Sequence, residues 1–130
     1  METKDPRSFL PLTPLAFQVL LALADGERHG YGIIREVDER TDGLIKLRTG
    51  TLYTLLQRLL DEQLVEPRTA PTTEDASTVG SAHGGHGDPR RKYYGLTALG
   101  RGVLAAEARR LQSLVTEAQR KHVLGRESKV

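Results

Sequence analysis

Cysteine and tryptophan are absent from this chain of 130 residues, methionine occurs once, and aromatic residues make up only 5%. The absence of cysteine excludes disulfides, thiolate zinc sites, iron–sulfur clusters and cysteine nucleophiles, and it favours a reducing, cytoplasmic location. Long hydrophobic runs are also absent: the most apolar stretch, residues 15–24, is interrupted by Gln18 and is much shorter than the roughly 18 residues of a membrane span. No signal-peptide pattern precedes it. We therefore expect one cytoplasmic domain without a membrane anchor.

Motifs of the common enzyme classes are missing as well. The sequence contains no P-loop, no nucleophile elbow around a serine, no zinc-protease motif and no paired carboxylates beside an apolar cleft. We therefore expect no catalytic activity and no cofactor.

Charge is unevenly distributed, although the net charge is only +2. The stretch 70–88 contains Glu74, Asp75 and Asp88 but no lysine or arginine, so it carries −3 and the rest of the chain carries +5. Proline, threonine, serine and glycine are frequent in the same stretch, which is too long and too polar for a hairpin turn. We expect residues 70–89 to form a disordered insert.

Two histidines in this insert raise the question of a metal site. The run His83-Gly84-Gly85-His86, followed by Asp88, offers ligand types that zinc and nickel accept. A flexible loop does not fix their geometry and no cysteine assists them, so we expect no bound metal. Metal sensing by His83 and His86 stays as the alternative.

Two helices are predicted in the first third of the chain. Thr13 is a good N-cap and Pro14 suits the first helical position, so a nearly all-apolar and therefore buried helix begins there. A second, amphipathic helix is predicted over residues 30–40. Gly30 and Gly32 at its start are explained by the backbone conformations that glycine permits.

A third helix follows a short apolar connection or strand at residues 44–47. Thr49 is its predicted N-cap. Leucines recur at the spacing of a single core-facing stripe, so the opposite face, with its hydroxyls, an amide and an arginine, points outward. The stripe comprises Leu52, Leu55, Leu56, Leu59 and Leu60.

A long fourth helix is predicted from Thr97, its N-cap, to about His122. Its apolar residues alternate by four and three positions, which is the narrow seam of a helix that pairs with another helix. Packing of this seam onto the first helix of the same chain is the alternative. The predicted dimerisation residues are Leu104, Ala108, Leu111, Val115 and Ala118.

The order of these elements is that of a winged helix-turn-helix, with residues 64–68 and 91–96 pairing as the hairpin before the last helix. The expected fold class is therefore mainly α with a small β-hairpin. The predicted parts are a flexible N-terminal arm at 1–11, a winged-helix DNA-binding domain at 12–96, a dimerisation helix at 97–123 and a flexible tail at 124–130.

Three segments carry a further resemblance: His29-Gly30-Tyr31-Gly32-Ile33-Ile34, Gly50-Thr51-Leu52-Tyr53 and Arg91-Lys92-Tyr93-Tyr94-Gly95-Leu96-Thr97-Ala98-Leu99-Gly100. In this order they resemble the PadR family of bacterial transcriptional regulators. The resemblance implies a dimeric winged-helix DNA-binding protein, usually a repressor, whose response to ligands differs between members. A single C-terminal helix is similar to the smaller subfamily.

The sequence departs from the family pattern in three places. Arg48-Thr49 stands where the family commonly has Ser-Pro, which implies a different base preference. The insert between the predicted strands is longer than is usual in the family. Because tryptophan is absent, the stacking of planar drugs between indole rings, found in some members, is not implied.

The outward face and the entrance of the third helix offer what a recognition helix needs: short hydroxyls, an amide, basic side chains and free N–H groups. The hairpin of residues 64–68 and 91–96 is the wing of such a fold. At the start of its second strand, residues 90–92 add three basic side chains without an acid between them. The same residue types also form ordinary solvated surfaces. The predicted DNA-binding residues are Tyr31, Lys46, Arg48, Thr49, Thr51, Tyr53, Thr54, Gln57, Arg58, Arg90, Arg91 and Lys92.

We therefore expect a homodimeric repressor that binds double-stranded DNA at a pseudo-palindromic operator. A small-molecule effector between the last helix and the body is the expected means of release. The alternative is a winged-helix protein-interaction adaptor, for which the acidic insert would be a docking segment.

Overall fold

The computed structural model describes residues 4–69 and 92–125. In this part of the chain, four α-helices and one short 3-10 helix combine with a three-stranded antiparallel sheet, so the expected fold class is confirmed. The predicted insert at 70–89 lies outside the described residues. The elements are the 3-10 helix Pro6–Phe9, α1 Pro14–Ala22, β1 Arg28–His29, α2 Gly30–Arg40, α3 Thr49–Asp61, β2 Val65–Arg68, β3 Tyr93–Leu96 and α4 Ala98–Arg120.

Helix α1 begins as the sequence predicts. The Thr13 hydroxyl accepts a hydrogen bond of 3.1 Å from the backbone N–H of Ala16, and proline holds the first helical position. At the other end, the carbonyl of Ala22 accepts from Arg28 at 2.7 Å and that of Ala24 accepts from Arg101 at 3.3 Å. These arginines satisfy carbonyls that have no partner within the helix.

Helices α2 and α3 form the helix-turn-helix, and their starts differ in chemistry. Nδ1 of His29 caps α2 by accepting from the N–H of Gly32 at 3.1 Å. The N-cap of α3 is Arg48, whose side chain makes no capping hydrogen bond, and Thr49 is already the first helical residue. The prediction of Thr49 as the cap is therefore wrong. The connection at 44–47 is a loop that buries Leu47, not a strand.

The core is built around the predicted leucine stripe of α3. Leu52, Leu56 and Leu59 are buried together with residues of α1 and α2 and the start of the hairpin. Helix α4 closes this core very tightly, because a Cβ at Gly100 would fall on the backbone carbonyl of Leu64. Only glycine fits at that crossing.

Strands β2 and β3 pair as the predicted antiparallel hairpin, with Val65 opposite Leu96 and Arg68 opposite Tyr93. A third strand joins it: the two residues of β1 pair with the other edge of β3, which becomes the central strand. Two residues carry no periodicity, so the sequence could not reveal this strand. It ties the start of α2 directly to the wing.

The N-terminal segment is packed, which corrects the expectation of a flexible arm at 1–11 for the described residues 4–11. Residues 6–9 form the 3-10 helix, and a Cβ at Gly102 of α4 would lie 3.1 Å from Pro6. Phe9 and Leu10 pack against the core. A polar composition suggested an arm, whereas contacts with a distant helix hold the segment.

A buried carboxylate joins this segment to α4. Glu107 is 1% exposed and accepts from the backbone N–H of Leu12 at 3.0 Å and from Arg110 at 2.6 and 3.0 Å. The hydrogen bonds from Arg110 hold the pKa of Glu107 below its ordinary value of 4.5, and they outweigh the opposing effect of burial. The ionised form therefore stabilises the fold.

We expect Glu107→Gln to lower the free energy of unfolding by about 1–3 kcal/mol near neutral pH, because it replaces a charged acceptor of several hydrogen bonds. The lowered pKa means that this stabilisation is complete above about pH 4.5 and is lost as the pH falls through the folded-state pKa. The gap between wild type and variant should therefore narrow in acid. Urea unfolding across this pH range measures it.

Glu117 provides the matched control, since it pairs with Arg120 at 2.8 Å on the same helix but is solvent-exposed. Glu117→Gln should change stability by less than about 0.5 kcal/mol. Equal effects of the two substitutions would contradict the role assigned to Glu107.

Candidate nucleic-acid interface

The outward face of α3 brings five of the predicted residues together. Burial of the leucine stripe leaves the opposite face in solvent, and all five side chains on it are exposed. Four of them, with Asp61, line a shallow concavity. This surface presents hydroxyl, amide and guanidinium groups on a rigid helix. The five residues are Thr51, Tyr53, Thr54, Gln57 and Arg58.

The entrance of α3 is basic and open. Lys46, Arg48 and Thr49 are exposed at the start of the helix, and the first turn contains no acidic residue. No side chain caps the helix, so N–H groups of its first turn have no intrahelical or capping partner. A Cβ added at Gly50 would meet nothing within 4 Å, so an approaching anion finds free space there. Helix starts with these properties bind phosphate groups.

Tyr53 is held by the start of α2. Its hydroxyl and ring lie so close to Gly30 that a Cβ at that position would overlap both. Gly30 does not have a positive φ, so the explanation from backbone conformation is wrong for this residue, which is required by space. Burial, and secondarily the proximity of Tyr53, raises the pKa of Tyr94 in the central strand. Tyr53 therefore lies where α2, α3 and the wing meet.

Tyr31 is exposed next to this junction. Its side chain is 62% exposed and stacks parallel to His29, with ring centroids 6.4 Å apart. His29 in turn meets Tyr93 edge-on at 5.4 Å. Sequence reasoning missed His29, which both caps α2 and joins these rings, because histidine is not among the residues that usually signal an N-cap.

The wing contributes one described basic residue from the prediction. Lys92 is exposed immediately before β3, whereas Arg90 and Arg91 lie outside the described residues. Arg68, at the facing end of the hairpin, is engaged within the fold: it pairs with Glu66 at 2.8 Å and donates to a carbonyl of β3 at 2.6 Å.

Comparison with known proteins agrees with this arrangement. Residues 19–106 match the profile of the transcriptional regulator PadR-like family. The chain belongs to this family. The match runs from α1 through the helix-turn-helix and the hairpin into α4, so it includes the whole candidate interface.

Three solved structures are similar to this chain. A PadR family transcription regulator from Clostridium difficile is 22% identical, with 83% of this chain and 97% of that chain covered and a TM-score of 0.63. A PadR-like transcription factor from Bacteroides fragilis is 25% identical, with 82% of this chain and 87% of that chain covered and a TM-score of 0.60. Bacillus subtilis PadR in complex with operator DNA is 24% identical, with 74% of this chain and 47% of that chain covered and a TM-score of 0.53.

The predicted seam of α4 has a buried part near the start of the helix and a more exposed part further along it. Leu104 is 7% exposed and belongs to the core of its own chain, so its assignment to a dimer interface is wrong. Beyond Glu107, which is buried against the N-terminal segment, most side chains of the helix are exposed. Ala108 is exposed, Leu111 and Ala118 are half-buried, and Val115 is 50% exposed with its neighbour Leu114 at 54%.

Residues 4–69 and 92–125 contain neither a candidate metal cluster nor a candidate membrane span. No group of three or more histidine, aspartate or glutamate side chains there is placed to hold a metal ion. His83 and His86 lie outside these ranges. No helix in the same ranges has the length and apolar character needed to cross a membrane.

We expect Gly30→Ala to lower the free energy of unfolding by about 1–3 kcal/mol, because the new methyl group must displace Tyr53 from a packed junction. Urea unfolding measures the change. Gly50→Ala is the matched control: it places the same methyl group in open space on α3 and should be neutral or stabilising by up to about 1 kcal/mol. Similar losses in both variants would argue against a steric role for Gly30.

Proposed function

We propose that this PadR-like regulator is a homodimeric, sequence-specific DNA-binding repressor that inserts α3 into the major groove of a pseudo-palindromic operator. The observation that carries the proposal is the exposed polar face of α3 behind an uncapped, basic helix start. Membership of a family of transcriptional regulators supports it, and one structural neighbour was solved on operator DNA.

In this proposal, side chains in the middle of the exposed α3 face contact the base edges. Threonine hydroxyls at positions 51 and 54 are short enough for close approach, and the amide of Gln57 and the guanidinium of Arg58 reach further. Burial of the opposite face keeps these groups on a rigid element, so little ordering is needed on binding.

Phosphate contacts position the protein on the duplex. Lys46 and Arg48 flank the free N–H groups at the start of α3, and open space at Gly50 lets a phosphate approach them. Tyr31 offers a hydroxyl beside the same surface. In the wing, the sequence places Arg90 and Arg91 directly before Lys92, and we propose that these three residues contact the neighbouring backbone or minor groove.

Dimerisation falls to the far half of α4. Its exposed leucine and valine at positions 114 and 115 and the half-buried Leu111 and Ala118 form an apolar strip that a second copy of the chain would cover. A two-fold dimer would present two α3 helices to major grooves about 34 Å apart. An effector bound between α4 and the body would change that separation and weaken operator binding.

DNA binding is tested by fluorescence anisotropy across a salt series. The probes are the duplex that the wild-type protein enriches most strongly from a randomised library and a scrambled duplex of the same composition. We expect tighter binding to the enriched duplex and a steep fall of both affinities with salt. Absence of salt-dependent binding to either duplex would reject the proposal in favour of the adaptor.

Arg48→Ala should weaken binding to the enriched and the scrambled duplex by the same factor and reduce the salt slope by about 1, because Arg48 lies at the helix start, where phosphates are held. Anisotropy titrations of both duplexes measure it. Arg120→Ala, which removes the same charge from the far end of α4, should leave the slope unchanged. A loss confined to the enriched duplex would show that Arg48 reads a base.

Val115→Glu should convert the dimer into monomers, because it places a charge in the apolar strip of α4. Sedimentation equilibrium reports the mass, and operator affinity should fall about a hundredfold as the second half-site is lost. The stability of the monomer should hardly change, since Val115 is exposed within its own chain. Ser113→Glu, with the same charge on the opposite face, should leave a dimer; a dimeric Val115→Glu protein would place the interface elsewhere.

A further inference from the structure

The amide of Gln57 is already oriented on the α3 surface. Its Nε2 donates a hydrogen bond of 3.0 Å to Oδ1 of Asp61, one helical turn further on. A carboxylate can only accept hydrogen bonds, so the amide must turn its nitrogen, and not its oxygen, towards Asp61. The carboxylate therefore determines which of the two amide orientations Gln57 adopts.

The hydrogen-bonding groups of Gln57 that Asp61 does not engage are one donor and one acceptor. Nε2 of Gln57 carries two N–H donors and Asp61 engages one of them, so one N–H and the oxygen Oε1 of the planar amide remain for a base edge. Among base edges in the major groove, adenine offers the matching pair, a donor at N6 beside an acceptor at N7, whereas guanine offers two acceptors. A free amide could reverse the order of its two groups by rotation, whereas the hydrogen bond to Asp61 favours one order.

Helix stability does not account for Asp61. A glutamine–aspartate pair one turn apart is mildly favourable, but an acidic residue at the last position of a helix faces the negative end of the helix dipole. Within residues 4–69 and 92–125, Asp61 has no cationic partner, whereas its neighbour Glu62 lies 3.8 Å from Arg58. Asp61 also places a negative charge on the surface proposed to meet DNA phosphates.

We propose that Asp61 is a specificity-determining residue that acts by positioning Gln57 to read adenine. The inference rests on the proposed function, because it requires α3 to lie in the major groove. Asp61 lowers the affinity for DNA in general through its charge and raises the discrimination between bases at one position. A residue with a merely structural role would have neither effect on base preference.

The test compares base preferences of the full-length wild type and variants on a duplex library with randomised central positions, read by sequencing of the bound fraction. We expect wild type to prefer adenine at one base pair that depends on Gln57, by about tenfold. Asp61→Asn should reduce this preference at least threefold, because asparagine can donate as well as accept and no longer fixes the amide. The same variant should bind scrambled DNA more tightly, since it loses a repelling charge.

Two further variants separate the causes. Glu62→Gln makes the same change of charge next to Asp61 but has no hydrogen bond to Gln57, so it should tighten binding to scrambled DNA and keep the adenine preference. Gln57→Ala should lose the preference, and adding Asp61→Asn to it should alter base preference no further. This non-additivity is the signature of two residues that act as a unit.

The outcomes also separate this inference from the proposed function. If wild type enriches no sequence, the proposed function fails and the inference fails with it. If wild type enriches a sequence and Asp61→Asn retains the full preference, only the role of Asp61 is overturned. A preference for another base at the Gln57-dependent position would overturn the adenine assignment.

Discussion

Burial of one leucine stripe of α3 is the constraint on which the rest of the structure depends. Leu52, Leu56 and Leu59 lie in the core, and each buried leucine contributes roughly 1.5–3 kcal/mol relative to an exposed one. With 3.6 residues per turn, burial of this stripe leaves only one direction for the opposite face. The groups proposed to read DNA are thus oriented by packing of residues that never touch it. The same packing places the uncapped start of α3 at the surface.

Features with a local cause were predictable from the sequence. Helix α1 has a threonine cap and a proline at its first position, and α3 has a complete leucine period, so both were found without knowledge of the fold. The hairpin strands were also found, although a long insert separates them, because each has its own composition. The outward face of α3 followed directly from its period, which is why Thr51, Thr54, Gln57 and Arg58 were correctly predicted to be exposed on it.

Features that arise from contacts between distant segments were not predictable in this way. Strand β1 exists because two residues pair with β3, and the 3-10 helix near the N-terminus is held by α4. Gly30 was assigned to backbone conformation because its real neighbour, Tyr53, is 23 positions away. Leu104 fitted a seam pattern, but a period alone does not say where along a helix the body ends and the free face begins.

These distant contacts connect α4 rigidly to the winged helix that carries α3. In its first turn, Gly100 packs directly against the backbone of Leu64. Two turns further on, Glu107 accepts a hydrogen bond from the backbone of Leu12 and so holds the N-terminal segment. A displacement of the exposed half of α4 would therefore carry the first half with it or break contacts that glycine and a buried carboxylate maintain. In a dimer formed through that exposed half, the distance between the two α3 helices would follow the angle between the two α4 helices. In the proposed dimer, a rigid connection of this kind would convert a local change at α4 into a change of operator fit without any rearrangement inside the winged helix.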